Sequence, residues 1–480
     1  MARDVPWTFV SFGLTKAVAL LTTVALAHLL DPSDFGLMAL ATLAFGALGL
    51  FQDLGLGATL VLRQDFEEKA LETVLTLLII TSVAVMVIVL ALTPLASSLL
   101  DQPRLNTILP VLSTTALFST LAAFYDSMMQ REMDFKRRFV GQTSQAVSLA
   151  VISIPLAIAG LGVWALVLGQ VASMIVYSAV YLAIAPHRIR PGFDRAIAKE
   201  AFVSGRGFLA QGWLAWINEN IDYLLVGKLL GEAQLGFYSM AYRLSELTHF
   251  GIADPVAKVT FPAFARMRAK GEDIATSYLS ALRLVALLAC AVGGILSGAA
   301  APFTLGIFGS NWAQMVAPLA VLGIWAALVP VQATIGWLLN STGHAGSVGT
   351  LTAVILVPEV PLLIIAAHSS TAAVSWVILA QAAVSIPVLA HVVHRKLHIH
   401  IVPHMRALLP IALATGAAWL ASRLTANATD DIAPLISLVF SVLLGVAAYS
   451  AIMAALDRDT LRLAARTANR MVRRDIATAA

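Results

Sequence analysis

Long apolar stretches, each broken by a short polar or glycine-containing turn, run the length of the chain. A membrane-spanning helix needs about 20 mostly apolar residues. Fourteen stretches meet that need: 7–30, 35–62, 70–92, 105–128, 139–160, 162–185, 200–230, 235–262, 276–306, 312–340, 345–367, 370–393, 406–424 and 432–456. The segment 139–185 is too long for one spanning helix, so Gly160-Leu161-Gly162 is expected to turn. The first stretch, Trp7 to Leu30, exceeds the apolar segment of a cleaved signal peptide and is interrupted by Lys16. It is expected to remain as the first membrane helix.

Composition agrees. Of 480 residues, 59% are hydrophobic and 12% charged, with a mean hydropathy of +0.85. Soluble domains carry roughly 25% charged residues, and disorder requires few apolar residues with high net charge. An all-α, polytopic membrane protein is what remains. The single cysteine, Cys290, sits in an apolar run and excludes an intramolecular disulfide or a cysteine metal site.

The net charge of +4 alone would suggest a nucleic-acid partner. Its placement argues otherwise. With the N-terminus inside, the inner connections hold clusters such as Arg131, Lys136, Arg137 and Arg138, or Arg188, Arg190, Arg195 and Lys199. The outer connections hold only Arg104 and Arg423. That asymmetry fits fourteen spans with both termini cytoplasmic, and no nucleic acid is needed to explain the basic balance.

An internal repeat organises the spans. Leu29-Leu-Asp-Pro-Ser-Asp-Phe-Gly36 joins helices 1 and 2; Leu229-Leu-Gly-Glu-Ala-Gln-Leu-Gly236, two hundred residues later, joins helices 7 and 8. Matches fall at Leu29/Leu229, Leu30/Leu230, Gly36/Gly236 and Ala41/Ala241. The offset spans six helices, so both copies enter the membrane in the same direction, as in parallel repeats. The expected organisation is a lobe over 1–185, a cytoplasmic linker over 186–199 and a second six-helix lobe over 200–393. Two further helices over 394–456 and a basic tail over 457–480 follow.

Ionisable groups deep in a span cost at least about 2.5–3.5 kcal/mol each if they face lipid, so they face a cavity or one another. Lys16, Asp53, Arg206, Glu219, Asp222, Arg243, Glu246, Asp254 and Glu359 are such groups, and all but Glu359 lie on helices 1, 2, 7 and 8. Local explanations exist for several. Arg243 and Glu246 can neutralise each other, Arg206 can reach the headgroups, Lys16 and Asp53 can pair, and Asp254 precedes Pro255 at a helix break. Glu219 and Asp222 share a face and repel, so one should be protonated or paired. Glu359, in Val357-Pro-Glu-Val-Pro361, is expected where two prolines disrupt a helix, a setting that holds either a coupling cation or a protonated acid. Three deep cations against six deep carboxylates fit protons or sodium carried by some of the acids.

Five of the ten histidines, His391, His394, His398, His400 and His404, fall in one connection read as a solvated connector. The His394/His398 spacing suits a metal pair, but no acid or cysteine accompanies it, and no metal site is expected. Arg458, Arg462, Arg466, Arg470 and Arg474 recur every fourth residue, a basic amphipathic helix suited to anionic inner-leaflet lipid. No phosphate-binding loop, dinucleotide turn or nucleophile elbow is present; no cofactor and no enzymatic activity are expected.

The run Asn220-Ile-Asp-Tyr-Leu-Leu-Val-Gly-Lys-Leu-Leu-Gly231, then Leu235-Gly-Phe-Tyr-Ser-Met-Ala-Tyr-Arg-Leu244, resembles the helix 7–8 signature of the polysaccharide transporter family. Leu29-Leu-Asp-Pro-Ser-Asp-Phe-Gly-Leu-Met-Ala39, Asp53-Leu-Gly-Leu-Gly57 and Phe261-Pro-Ala-Phe-Ala-Arg266 are similar to further parts of it. These are the Wzx-like lipopolysaccharide and exopolysaccharide exporters of the MOP superfamily, which also includes lipid II flippases and MATE drug exporters. The resemblance implies two six-helix lobes, a central cavity and alternating access in a bacterial inner membrane. It also implies an undecaprenyl-diphosphate-linked oligosaccharide as cargo. On that reading Lys16, Arg206 and Arg243 would meet the diphosphate or sugars. Asp53, Glu219, Asp222 and Glu359 would couple transport to H+ or Na+. Relatives commonly carry more cavity arginines than this chain. A cation-coupled multidrug exporter is the alternative that the acidic excess suits; a membrane polysaccharide polymerase or ligase would need a larger outer loop.

Overall fold

In hydrocarbon a chain must satisfy its backbone N–H and C=O groups within itself, and helices do so segment by segment. The computed structural model describes residues 5–53, 68–132, 134–185 and 189–466, without the side chains of 5–12, 50–53, 68, 135 and 200–211. No strand occurs among the described residues.

The chain forms two compact units. The first, Met1–Gly236, holds α1 (Val5–Leu29), α2 (Pro32–Asp53), α3 (Glu68–Leu99), α4 (Leu105–Ser113) and α5 (Thr115–Arg131). It continues with α6 (Phe135–Ile158), α7 (Val163–Ile184), α8 (Arg195–Leu229) and the first turn of α9 (Glu232–Thr248). The second, Phe237–Ile476, takes the rest of α9, a π-helical turn (His249–Ala253), α10 (Asp254–Lys270), α11 (Ala275–Gly298) and α12 (Ala300–Ile307). After a 3-10 turn (Ser310–Met315) come α13 (Val316–Ser341), α14 (Ala345–Ala367), α15 (Thr371–Leu397), α16 (Ile401–Ala428) and α17 (Pro434–Leu456).

Among the described residues, eleven helical segments are long and apolar enough to cross a membrane. The chain is a multi-pass membrane protein. The expected turn at 160–162 is present. α6 stops at Ile158 and α7 starts at Val163, with Gly160 (φ 79°) and Gly162 (φ 56°) in the left-handed region that glycine enters without a Cβ penalty. Helix starts are capped by side chains: Asp134 accepts from the Arg137 N–H (3.0 Å), and Asp194 from the N–H groups of Ala196 (2.8 Å) and Ile197 (3.2 Å).

The described part of the connection before α8 is bound to α3. The Thr76 hydroxyl donates to the Gly192 carbonyl (2.7 Å), the Asp194 N–H donates to Thr73 Oγ1 (3.0 Å), and Ile189 joins the buried cluster of Leu71, Val74 and Leu75. The second unit has its own core, in which Tyr278, Leu282, Ile335 and Leu338 are fully buried. There α11 and α13 approach through small residues: a Cβ on Gly293 would meet the Ala327 backbone and one on Gly323 would meet Ser297.

The repeat found in the sequence becomes a contact. A Cβ on Gly36 would overlap the carbonyl of Glu232, and one on Gly236 would overlap the carbonyl of Pro32. These pairs, 36 with 232 and 236 with 32, are reciprocal at the repeat offset. Reciprocity is the mark of a local two-fold relation. Matched positions also share environments: Leu29 and Leu229 are 43% and 39% exposed, while Ala41 and Ala241 are both fully buried.

The glycine crossing leaves no room for a side chain. Gly36→Val or Gly236→Val should therefore lower stability by about 1–3 kcal/mol or more, read as a drop in the thermal unfolding midpoint of the detergent-purified protein. Gly416→Ala, on an open face of α16, should leave the midpoint unchanged or slightly raised.

Candidate functional site

The polar groups of the deep set sit on α1, α2, α8, α9, α10 and α14. Lys16, Glu219 and Arg243 are exposed. Each lies about 15 Å or more from both ends of its helical run, at 1.5 Å per residue. Asp222, one turn beyond Glu219 on α8, is buried (2% exposed). The two acids on one face thus occupy different environments. Asp53 is the last residue of α2 and Arg206 lies on α8; their side chains fall outside the described residues, so the Lys16–Asp53 pairing does too.

In the second unit Glu246 is half-buried. Asp254 does serve locally. Pro255 has no N–H, and its ring crowds the carbonyl four residues back; the helix yields with a π turn, in which the Asp254 N–H reaches the His249 carbonyl. That turn brings the His249 ring within 3.5 Å of the Asp254 carboxylate, with Trp337 packed against the imidazole. The sequence reading missed His249. A Pro after an acid in a helix signals a break, but only the geometry shows which side chain the break delivers.

Glu359 departs from expectation. Pro358 and Pro361 do not disrupt the helix; α14 runs unbroken from Ala345 to Ala367. Prolines are tolerated there because neighbouring helices and local adjustment re-satisfy the freed carbonyls. Glu359 is 5% exposed and shares the buried face of α14 with Leu363, Ala366 and Ala367, so it turns away from the lipid-facing surface.

Two other expectations change. The histidine connection is not simply solvated: His404 is buried, hydrogen-bonded to the Tyr278 hydroxyl (3.0 Å), while His394 and His400 stack at 5.1 Å. His398 ends α15 in the left-handed conformation. In the tail, the helix over 458–466 packs Leu461 and Ala464 against the second unit's core rather than leaving its apolar side to lipid. The residues after 466 lie outside those described.

A polar cluster not anticipated from the sequence joins α5, α6 and α7. Arg138 donates twice to Asp126, Nε to Oδ1 (3.0 Å) and Nη2 to Oδ2 (2.8 Å), and the Tyr181 hydroxyl donates to the same carboxylate. Gly141 makes room for the Tyr181 ring. Arg138 had been counted only as a topological charge, because no spacing along the chain reveals which side chain of the neighbouring helix it meets.

Residues 25–317, from the end of α1 into α13, match the family described as polysaccharide biosynthesis protein. The chain belongs to this family. It is 26% identical over 296 residues to the teichuronic acid biosynthesis protein TuaB of Bacillus subtilis, a match spanning 61% of each chain. It is 22% identical over 339 residues to the lipopolysaccharide biosynthesis protein WzxC of Escherichia coli, spanning 69% of this chain and 68% of that one. The lipid II flippase MurJ, inward closed, shares the fold with a TM-score of 0.78 at 13% identity, over 95% of this chain and 100% of that chain.

The Asp126 cluster holds α5, α6 and α7 together at a place that can be probed. Asp126→Asn leaves Arg138 half-buried without its counter-charge and should cost about 2 kcal/mol. Tyr181→Phe removes one hydrogen bond and should cost less, about 1 kcal/mol; thermal unfolding of both variants checks the order.

Proposed function

We propose that the chain is a flippase. It carries an undecaprenyl-diphosphate-linked oligosaccharide from the inner to the outer leaflet of a bacterial inner membrane, for lipopolysaccharide or exopolysaccharide synthesis. Family membership and the shared fold support this reading. The observation that carries it is the exposure of Lys16, Glu219 and Arg243 far from their helix ends. A charge there would be costly against hydrocarbon, so an aqueous path is the environment that accounts for all three. A diphosphate cannot cross hydrocarbon unaided, and such a path is what it needs.

In this proposal fourteen helices cross the membrane, with both termini cytoplasmic. The repeats form two six-helix lobes, over 1–185 and 200–393, that alternate access to a cavity. Lys16, Arg206 and Arg243 meet the diphosphate and sugars. A H+ or Na+ gradient acts through Asp53, Glu219, Asp222 or Glu359, and the arginine-rich tail lies near anionic inner-leaflet lipid. The chain does no covalent chemistry of its own.

Deletion followed by lipid extraction tests the whole reading: lipid-linked glycan should accumulate on the inner leaflet. At the residue level, Lys16→Ala and Arg243→Ala should each lower surface polysaccharide at least severalfold with the protein still at normal abundance. Unchanged polysaccharide on deletion, together with drug resistance on overexpression, would instead assign the chain to multidrug export.

A further inference from the structure

A second polar feature of the fold lies away from the deep charges. Between the first turns of α14 and the last turns of α15 is an open cleft of about 590 Å3. Its mouth carries Ser347 and Thr350 from α14 and His391, Arg395 and Lys396 from α15; no carboxylate lines it. Leu351, Val354 and Val392 supply its apolar lining. From there α14 continues outward as an exposed apolar strip through Val354 (62% exposed) and Val357 (75% exposed). Hydroxyls and cations at one end and a strip of valines at the other make an amphipathic track along a membrane helix.

The neighbouring connection senses the same charge. His344, just before α14, receives Arg268 Nη1 at 3.5 Å and the Thr342 hydroxyl at 3.3 Å, both on Nδ1. Desolvation, then the positive charges of Arg268 and Lys396, hold this imidazole below its ordinary value. Basic residues at a helix C-terminus also favour the helix dipole, but that does not call for an open cleft with hydroxyls opposite and an apolar floor.

We propose that this cleft holds the phosphate headgroup of an anionic phospholipid, with Arg395 and Lys396 on the phosphate and the acyl chains along Val354 and Val357. Basic pockets between membrane helices bind anionic headgroups in this way. The site is thus a resident lipid site, and it stands whether or not the flippase reading does.

The test uses the full-length purified protein and native mass spectrometry in detergent, titrated with phosphatidylglycerol or phosphatidylcholine. The wild-type protein should retain phosphatidylglycerol in clear preference. At about 1 kcal/mol per cation near a lipid surface, Arg395→Gln with Lys396→Gln should weaken phosphatidylglycerol binding roughly thirtyfold. Thr350→Trp, which fills the cleft without changing charge, should do likewise, whereas Arg104→Gln with Lys270→Gln, two exposed cations away from the cleft, should not. Unfolding midpoints measured without added lipid must stay at the wild-type value for the comparison, and surface polysaccharide is scored separately. Retained preference in both cleft variants overturns the proposal. So does displacement of phosphatidylglycerol by inorganic phosphate or undecaprenyl phosphate at equal concentration, which would assign the cleft to a free anion or to the carrier lipid.

Discussion

Everything in the first unit is referred to one backbone crossing, where the start of α2 meets the start of α9. Gly36 and Gly236 have to lack side chains because each Cα faces the other repeat's carbonyl. In a membrane there is little hydrophobic force between helices, so close approach and the dispersion contacts it permits must supply the association. The crossing does this where the start of α2 meets the start of α9. Because the pairs are reciprocal, a change in either glycine disturbs the same contact. Around it Leu37, Leu40, Ala41 and Leu235 are fully buried, which fixes how α2, α8 and the first turn of α9 enter the bundle.

The same constraint governs polar groups. Several are matched within the fold: Asp126 takes both arms of Arg138, His404 meets Tyr278, and the Tyr449 hydroxyl donates to the Leu287 carbonyl (2.8 Å). A low local dielectric makes such pairings strong and their loss expensive. Exposed charges at mid-helix are a different class. Lys16, Glu219 and Arg243 stand exposed far from their helix ends, where hydrocarbon would make a charge costly.

The second unit shows how a long helix accommodates sequence that resists it. Pro255 forces a π turn, and the displaced segment sets His249 beside Asp254. Pro358 and Pro361 produce no such interruption. Identical residue types thus give different outcomes on two helices, because the carbonyl that a proline frees can be satisfied by whatever packs beside it. Small residues decide the core here as well, with α11 and α13 brought together at Gly293 and Gly323.

What the sequence determined by itself was every feature that follows from local period and composition. That includes the apolar stretches, the turn at Gly160–Gly162, the repeat at Gly36 and Gly236, and the ionisable residues placed where hydrocarbon should be. Each depends on neighbours along the chain, and each was legible. Only the tertiary structure decided that the repeat glycines touch, that Asp222 is buried while Glu219 is exposed, and that Asp126 and Arg138 are partners. It also decided that Leu461 of the tail packs on the core and that α14 survives its prolines. These outcomes hang on contacts between residues far apart in sequence, where the cost of an unpaired charge or a freed carbonyl depends on what lies alongside. No period along the chain carries that information.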